Sequence, residues 1–426
     1  MRHFIQACLI VLLFSAALVT RAEPPATAEA LGLMRGSPPD DDQLVTVENA
    51  FLPPYNRWSF LHMRELFPTR GIEPSANASA LVQEPIDIRS IPVSLANDRQ
   101  ITAGEWLDNA YTDGFIVLHE GKVTYEQYLN GQNRHSQHIM FSVTKSFTSA
   151  LILTLAEEGL IDLSETVSRY LPSLAETAYG DATVQHVMDM TNSIQYDETY
   201  DDPESDIGRY FAALAPGGRG LYHHLTTLDK QLSGYAHGEA FQYVTPDTEV
   251  LGWIIRSVTG LSLAENLESR IWKPMGAEHP AHYMLDPVGI ELAGAGLSMS
   301  LRDAARFGQM ILNDGRYNGR QVLSASITAR IKNRRNTEAF TSYYDDPWYH
   351  VVAEDYHDQW WSYRGVNAVV ALGIHGQFIY VNSDHNVVIV KQTSDPFAEG
   401  TRVDNETPLV MHAIAAYLGS RSGVTD

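Results

Sequence analysis

Ser142 and Lys145 stand three residues apart in Phe141-Ser142-Val143-Thr144-Lys145-Ser146-Phe147, at the head of an apolar run that continues to Leu160. On a helix, positions i and i+3 lie one above the other on one face. Apolar residues cover most faces of this run, so the helix belongs inside a core and takes Lys145 with it. A buried ammonium is costly unless paired, and its usual escape is a lowered pKa. A neutral amine there is a base for the hydroxyl proton of Ser142, and the positive helix N-terminus favours the alkoxide that forms. Of the six lysines in the chain, only Lys145 has a serine three residues upstream. The competing reading is structural, with Ser142 as an N-cap and Lys145 snorkelling to the surface.

Such a pair needs a second proton carrier for the leaving group. Tyr243, in Phe241-Gln242-Tyr243-Val244-Thr245-Pro246-Asp247, sits just before a predicted helix. A nearby ammonium is expected to lower its pKa. It is one of 21 tyrosines, so a packed loop aromatic is the alternative. Gly373-Ile374-His375-Gly376-Gln377 interrupts two late strands with two glycines. Glycine in a strand marks close backbone approach, as an oxyanion-binding strand edge requires; a plain turn is the other reading, and His375 by itself is more often structural. Tyr196 to Pro203 is rich in tyrosine and acid, and reads by default as a solvated loop rather than a calcium or pocket loop. His223, His224, His279 and His282 lack a convincing ligand set, and no metal is assigned to them.

The elements that position these residues follow from periodicity and turn chemistry. Phe115–His119 and Val123–Leu129 predict a β-hairpin closed at Gly121. The Ser142 helix stops at Gly159, where a left-handed residue is wanted. Thr183 to Met190 predicts a helix capped by Thr183, Asp247 to Val258 a second apolar helix, and Ser300 to Leu312 a helix opened by a capping-box-like start. Ala368–Leu372, Phe378–Val381 and Val387–Lys391 predict three strands in antiparallel order, followed by a helix over Pro408–Leu418. Early and late strands form one sheet with the Ser142 helix packed on it. The fold class is α+β, an antiparallel sheet flanked by helices plus an all-α lobe from a helical insertion at about residues 161–300.

The chain has 426 residues and a formal net charge of −22, which argues against nucleic acid or an anionic membrane as partner. Arg2 and His3 precede the mainly apolar Phe4 to Val19, and Thr20-Arg21-Ala22 offers small residues for cleavage, so residues 1–22 read as a signal peptide. The expected destination is the periplasm or beyond, without a stable membrane anchor. Cys8, the one cysteine, lies in that segment, which excludes cysteine nucleophiles and cysteine-ligated zinc from the mature chain. Residues 23–94 read as an arm, loose at first and packing onto the main body, residues 95–426, from the aromatic stretch at Phe51 onward. Neither Gly-x-Ser-x-Gly nor His-Glu-x-x-His occurs.

Ser142-x-x-Lys145, Tyr243-x-Thr245 and the Gly373–Gln377 run, in that order, resemble the serine β-lactamase-related superfamily. Val250 to Gly260 and Gly294 to Gly308 are also similar to it, so the likeness spans roughly residues 110–420. Within the superfamily, Tyr196–Pro203 and Gly-Ile-His-Gly-Gln resemble the 6-aminohexanoate-dimer hydrolases. The resemblance implies a β-lactamase/transpeptidase-like fold and cofactor-free hydrolysis of a small-molecule ester or amide. It implies Ser142 as acylated nucleophile, Lys145 as its base and Tyr243 as proton carrier. The backbone N–H groups of Ser142 and Ile374 become the oxyanion hole, with Tyr200, Thr245, His375 and Gly376 at substrate-binding positions, Tyr200 closing over the substrate. Penicillin-recognising members usually carry Asn where Thr245 stands and a Lys-Thr-Gly strand, so weak lactamase activity is expected. Members that hydrolyse nylon oligomers place an acid where Phe211 stands, which favours esterase action on less polar acyl groups. The alternatives are a β-lactamase or D-amino-acid peptidase, or a catalytically silent binding protein on the same fold.

Overall fold

Glu120 and Gly121, both at positive φ (50° and 77°), turn the chain so that His119 pairs with Lys122. This two-residue turn matches the twist of the strands it joins, and it makes a hairpin the edge of the main sheet. The computed structural model describes residues 24–95, 99–215, 217–344 and 352–421; the expected signal peptide with Cys8 lies outside them. In chain order the elements are β1 (Thr69–Ile72), β2 (Thr112–His119), β3 (Lys122–Tyr128), β4 (His138–Ile139), α1 (Val143–Glu157), α2 (Val184–Met188), α3 (Asp206–Ala213), α4 (Thr245–Thr259), β5 (Ala281–Met284), β6 (Leu297–Met299), α5 (Leu301–Leu312), β7 (Ala353–His357), β8 (Trp360–Tyr363), β9 (Ala368–Gly373), β10 (Gln377–Asn382), β11 (Val387–Thr393) and α6 (Arg402–Arg421).

The main sheet runs β7-β8-β9-β10-β11-β2-β3, every neighbour antiparallel. Early and late strands meet at β2 and β11, with Ile116 opposite Val390 and Val117 opposite Ile389. Side chains alternate between its faces, as the strand repeat of two requires. Ile116, Leu118, Ile379, Val381, Val388 and Val390 bury against α1 and α5. Phe115, Val117, Phe378, Tyr380, Val387 and Ile389 share the opposite layer with Val410, Met411 and Ile414 of α6. Helices thus cover both faces, and α1 is sealed from water on nearly every side.

Several boundaries differ from the sequence reading for identifiable reasons. The insertion expected to be all-helical carries β5 and β6, which with β1 and β4 make a second antiparallel sheet in the order β1-β5-β6-β4. These strands are two to four residues long, too short to show an alternation. β7 and β8 escaped prediction because Asp355, His357, Asp358 and Gln359 break the apolar pattern. All four are buried, and the Asp355 carboxylate accepts the N–H groups of Arg335 (2.7 Å) and Asn336 (3.1 Å). The last helix starts at Arg402, six residues before the Pro408 that suggested its beginning. Among the described residues no helix is long and apolar enough to cross a membrane.

The N-terminal arm lies against the back of the site. Asn56 donates to the carbonyls of Ser394 (3.2 Å) and Asp395 (2.9 Å), and Arg57 forms a buried ion pair with Asp113 at 3.0 Å. Phe60 accepts the N–H of Ile139 on its carbonyl (3.0 Å) and packs its ring 5.0 Å from that of Phe141.

Candidate active site

Ser142 occupies the N-cap of α1, with φ −65° and ψ −9°, and its side chain makes no capping bond. The structural reading of this serine therefore fails. Its Oγ lies 2.9 Å from Lys145 Nζ, one helical turn on, and both residues are buried. Phe141 just before it is left-handed at φ +44°, a torsion costly for a bulky residue. The rings of Phe51, Phe60 and His375, 5.0 to 6.1 Å away, hold it there. Gly159, at φ +74°, ends the helix as expected.

Lys145 Nζ has three polar neighbours: Ser142 Oγ, the carbonyl of Gly294 at 2.9 Å and Thr245 Oγ1 at 3.3 Å. A neutral amine has two N–H groups and one lone pair. Donation to Gly294 and Thr245 uses the first two and leaves the lone pair for the hydroxyl proton of Ser142. Burial lowers the Lys145 pKa to about 8, while the carboxyls of Glu198, Glu249 and Asp247 pull the other way. The amine is thus partly deprotonated near neutrality, as a general base must be.

The three acids are residues that sequence reasoning did not assign. Glu249 lies one turn beyond Thr245 on α4 and accepts the N–H groups of Ala293 and Gly294 and the phenol of Tyr210, each at 2.9 Å. It thereby holds the backbone just before the Gly294 carbonyl that faces Lys145. Burial raises its pKa to about 7. Asp247 accepts from Tyr179 (3.0 Å) and Asn192 (2.7 Å), and burial pushes it well above the usual carboxylate range. Glu198 belongs to the run expected to be a solvated loop, yet it turns inward. Its Oε1 accepts from Tyr200 (2.8 Å) and from the Thr245 hydroxyl, and its Oε2 from the Thr245 N–H (3.1 Å). A legible signal did exist for two of them: acids spaced along a strongly apolar helix, the same anomaly that singled out Lys145.

Tyr243 is buried beside the Ser142–Lys145 pair, its ring centroid 5.3 Å from Lys145 Nζ. It stacks on Trp361 (5.7 Å, 16° between planes), and its N–H donates to the phenol of Tyr344 at 3.1 Å. The expected lowering of its pKa is corrected: burial dominates and holds the phenol above its ordinary value. Tyr243 therefore faces the site as a phenol, not as a phenolate.

The end of β9 runs against the head of α1. A Cβ on Gly373 would lie 2.4 Å from the Met140 carbonyl and 3.1 Å from the Ser142 nitrogen, so only glycine allows this approach. Ile374 follows directly. Gln377 braces the turn, donating to the carbonyls of His375 (3.2 Å) and Thr393 (2.7 Å) and accepting the Thr393 N–H at 3.1 Å.

Two of the residues placed at substrate-binding positions turn out otherwise. His375 is left-handed (φ +58°), its ring packs on Phe60 (5.0 Å) and Phe141 (5.3 Å), and its Nδ1–H donates to the Asp395 carbonyl at 2.7 Å. Burial lowers its pKa to about 4, so it is a neutral packing residue. Gly376, at φ +80°, is pressed against Thr393 and Lys391, where a Cβ would lie 2.8 Å and 3.2 Å from their side chains. Lys391 itself is fully buried over the rings of Trp106 (5.0 Å) and Phe378 (5.9 Å). Thr245 meets Lys145 and is joined to Tyr200 through Glu198. Phe211 is exposed, its ring 6.4 Å from that of Tyr200.

This arrangement has counterparts among known proteins. A 6-aminohexanoate-dimer hydrolase from Paenarthrobacter ureafaciens is 32% identical over 351 residues, covering 80% of this chain and 86% of the relative. A solved Bacillus anthracis protein assigned as a 6-aminohexanoate-dimer hydrolase superposes with a TM-score of 0.78 at 32% identity, over 92% of this chain and 100% of its own. A family VIII carboxylesterase shares the fold, with a TM-score of 0.53 at 17% identity over 72% of this chain and 92% of its own. The family model described as Beta-lactamase matches residues 110–409, from the first strand of the main sheet into the last helix and across Ser142, Lys145, Glu198, Tyr243, Thr245 and Gly373. The chain is thus a serine hydrolase that belongs to the beta-lactamase family, related to the 6-aminohexanoate-dimer hydrolases.

Proposed function

We propose that this hydrolase cleaves small esters and linear amides through an acyl-enzyme on Ser142. The observation that carries the reading is the set of partners at Lys145 Nζ: two acceptors and the nucleophile, matching the donors and lone pair of a neutral amine. Lys145 takes the Ser142 proton as Oγ attacks the carbonyl carbon. The oxyanion is received by the N–H groups of Ser142 and Ile374, a reading supported by the close approach of Gly373 to the Ser142 nitrogen. Tyr243 passes a proton to the leaving alcohol or amine as the tetrahedral intermediate collapses. Water then attacks the acyl carbon, giving its proton to the same relay, and Ser142 leaves with a proton restored.

The alcohol or amine side of the substrate is not held by an acid at position 211, where Phe211 presents an apolar ring. The turn that replaces a Lys-Thr-Gly strand offers no cation, since Lys391 lies buried behind Gly376. Both features favour neutral, less polar acyl groups over amine-bearing oligomers or anionic β-lactams. The N-terminal segment adds the proposal that the enzyme works after export.

Hydrolysis of p-nitrophenyl acetate and butyrate by the parent and by Ser142→Ala tests this. A pre-steady-state burst in the parent that is absent from the variant is expected. Equal rates in both would remove Ser142 as nucleophile. A chromogenic cephalosporin turned over as fast as the esters would overturn the substrate preference.

A further inference from the structure

Glu198 has no part in the steps above, yet it stands between Tyr200 and the Thr245 hydroxyl that meets the Lys145 amine. Its loop is pinned to the head of α3: Asp206 accepts the Asp197 N–H at 2.9 Å, and the Asp197 carbonyl accepts the Ile207 N–H at 3.0 Å. Glu198 and Tyr200, two residues apart, meet through the phenol and Oε1. The same oxygen accepts the Thr245 hydroxyl, which in turn accepts from Lys145 Nζ. Three hydrogen bonds therefore connect the Tyr200 phenol to the amine. We propose that Glu198 is a positioning residue that ties Tyr200 to Lys145 through Thr245, so that the place of the tyrosine over the site sets the proton affinity of the base.

The proposal rests on Lys145 acting as the base. The groups facing its amine are Ser142 on its own helix, Tyr243 in the loop before α4, Asp247 and Glu249 on α4, the Gly294 carbonyl, and Glu198. Burial pushes Asp247 well above the usual carboxylate range and Glu249 to about 7. Glu198 is raised by burial, but Lys145, the two Thr245 donors and Tyr200 all favour its ionised form. Of the three acids that restrain Lys145 from falling further, Glu198 contributes most. Loss of the Tyr200 phenol removes a donor from that carboxylate and weakens the restraint, which lets the amine deprotonate more easily.

A plain helix-capping role is the competing account, since Glu198 also accepts the N–H of Thr245, the first residue of α4. Titration of the Lys145 side chain separates the two. Protein labelled with 13C at lysine Cε shows six lysine signals at most, and Lys145→Met identifies the one concerned. This readout needs no substrate, so it is independent of the ester burst that tests the function. The expected result is a midpoint about one pH unit lower in Glu198→Gln. Tyr200→Phe and Thr245→Val should shift it the same way by less, while Thr245→Ser should leave it in place. An unmoved midpoint in folded Glu198→Gln would overturn the proposal. A shift there with none in Tyr200→Phe would overturn the coupling to the tyrosine. Should Glu198→Gln fail to fold, an unmoved midpoint in Thr245→Val would overturn the proposal in its place.

Discussion

Gly373 should tolerate no side chain, and the reason is distance rather than torsion. Its φ of −133° and ψ of 148° are ordinary extended backbone that alanine adopts freely. A Cβ there would nevertheless lie 2.4 Å from the Met140 carbonyl oxygen, against 3.4 Å for an ordinary contact, so β9 must retreat by about 1 Å. Met140 cannot give way easily, because its carbonyl accepts the Val143 N–H at 3.1 Å and its N–H donates to Leu297 at 2.9 Å. The retreat carries the Ile374 amide away from Ser142. Losing one oxyanion donor costs about 10² to 10³ in kcat, roughly 2.7–4 kcal/mol of transition-state stabilisation. Gly373→Ala is therefore expected to lower kcat on p-nitrophenyl butyrate by about 100-fold with a thermal midpoint near that of the parent. Ser142 and Lys145 are untouched, so a serine-directed phosphonate should still label the protein, only more slowly. A folded variant whose kcat stays within about threefold of the parent, roughly 0.7 kcal/mol, would show that the end of β9 is not the second arm of the oxyanion hole.

Further outcomes follow from the buried charges. Activity should rise with pH and level off above about 8, because Lys145 is a base only once its ammonium has lost a proton; a kcat/KM profile already flat well below that pH would remove Lys145 from the role. Lys391→Met should raise stability at neutral pH. Burial depresses this lysine from 10.5 to about 8, so the folded state bears its cost in full below 8 and is relieved between 8 and 10.5. The 2.5-unit difference caps the gain at about 3 kcal/mol, and it should fade by pH 10.5 in urea unfolding; a loss of stability at pH 7 would contradict the argument. Arg57→Ala should cost about 3–5 kcal/mol by leaving the buried Asp113 carboxylate without its cation, and an unchanged unfolding midpoint would show that His138 (3.1 Å) and Ser394 suffice for it.

The parts of the site that sequence revealed are those where residue type contradicts its surroundings. A lysine at the head of an apolar helix and two glycines inside a strand pattern are such contradictions, and both mark the site. Strands and helices were legible wherever a period of two or of 3.6 ran for five residues or more, as in β9 to β11 and α4 and α5. Tyr196–Pro203 failed the other way. Its acids suit a solvated surface, and nothing local signals that Glu198 turns inward to meet a threonine 47 positions away. His375 was placed at the substrate by resemblance alone, whereas its ring completes the aromatic support of Phe141, in keeping with what its residue type suggested. The arm was harder still, since Asn56 and Arg57 find their partners more than 50 residues on. Such pairings are properties of the assembled fold.

In the role proposed for it, Lys145 needs a large protein around it. An exposed lysine would remain protonated at neutral pH and take no proton from Ser142. Burial alone would lower the pKa without limit set by anything useful, since a very weakly basic amine makes a poor acceptor. The value of about 8 is the balance of desolvation against three acids brought from the loop before α3 and from α4. Nor is placing the amine sufficient. In the proposed mechanism the charge that develops on the substrate meets an N–H group at a strand end more than 230 residues away from the helix head. That strand is placed by its register: Gly373 opposite Gln377, and β10 and β11 carrying the sheet across to β2. A one-residue slip in β9 would turn every side chain to the wrong face and move the amide by about 3.3 Å. The buried core and the chemistry therefore constrain the same register. Substitutions that shift β9 should reduce turnover at a smaller displacement than is needed to unfold the chain.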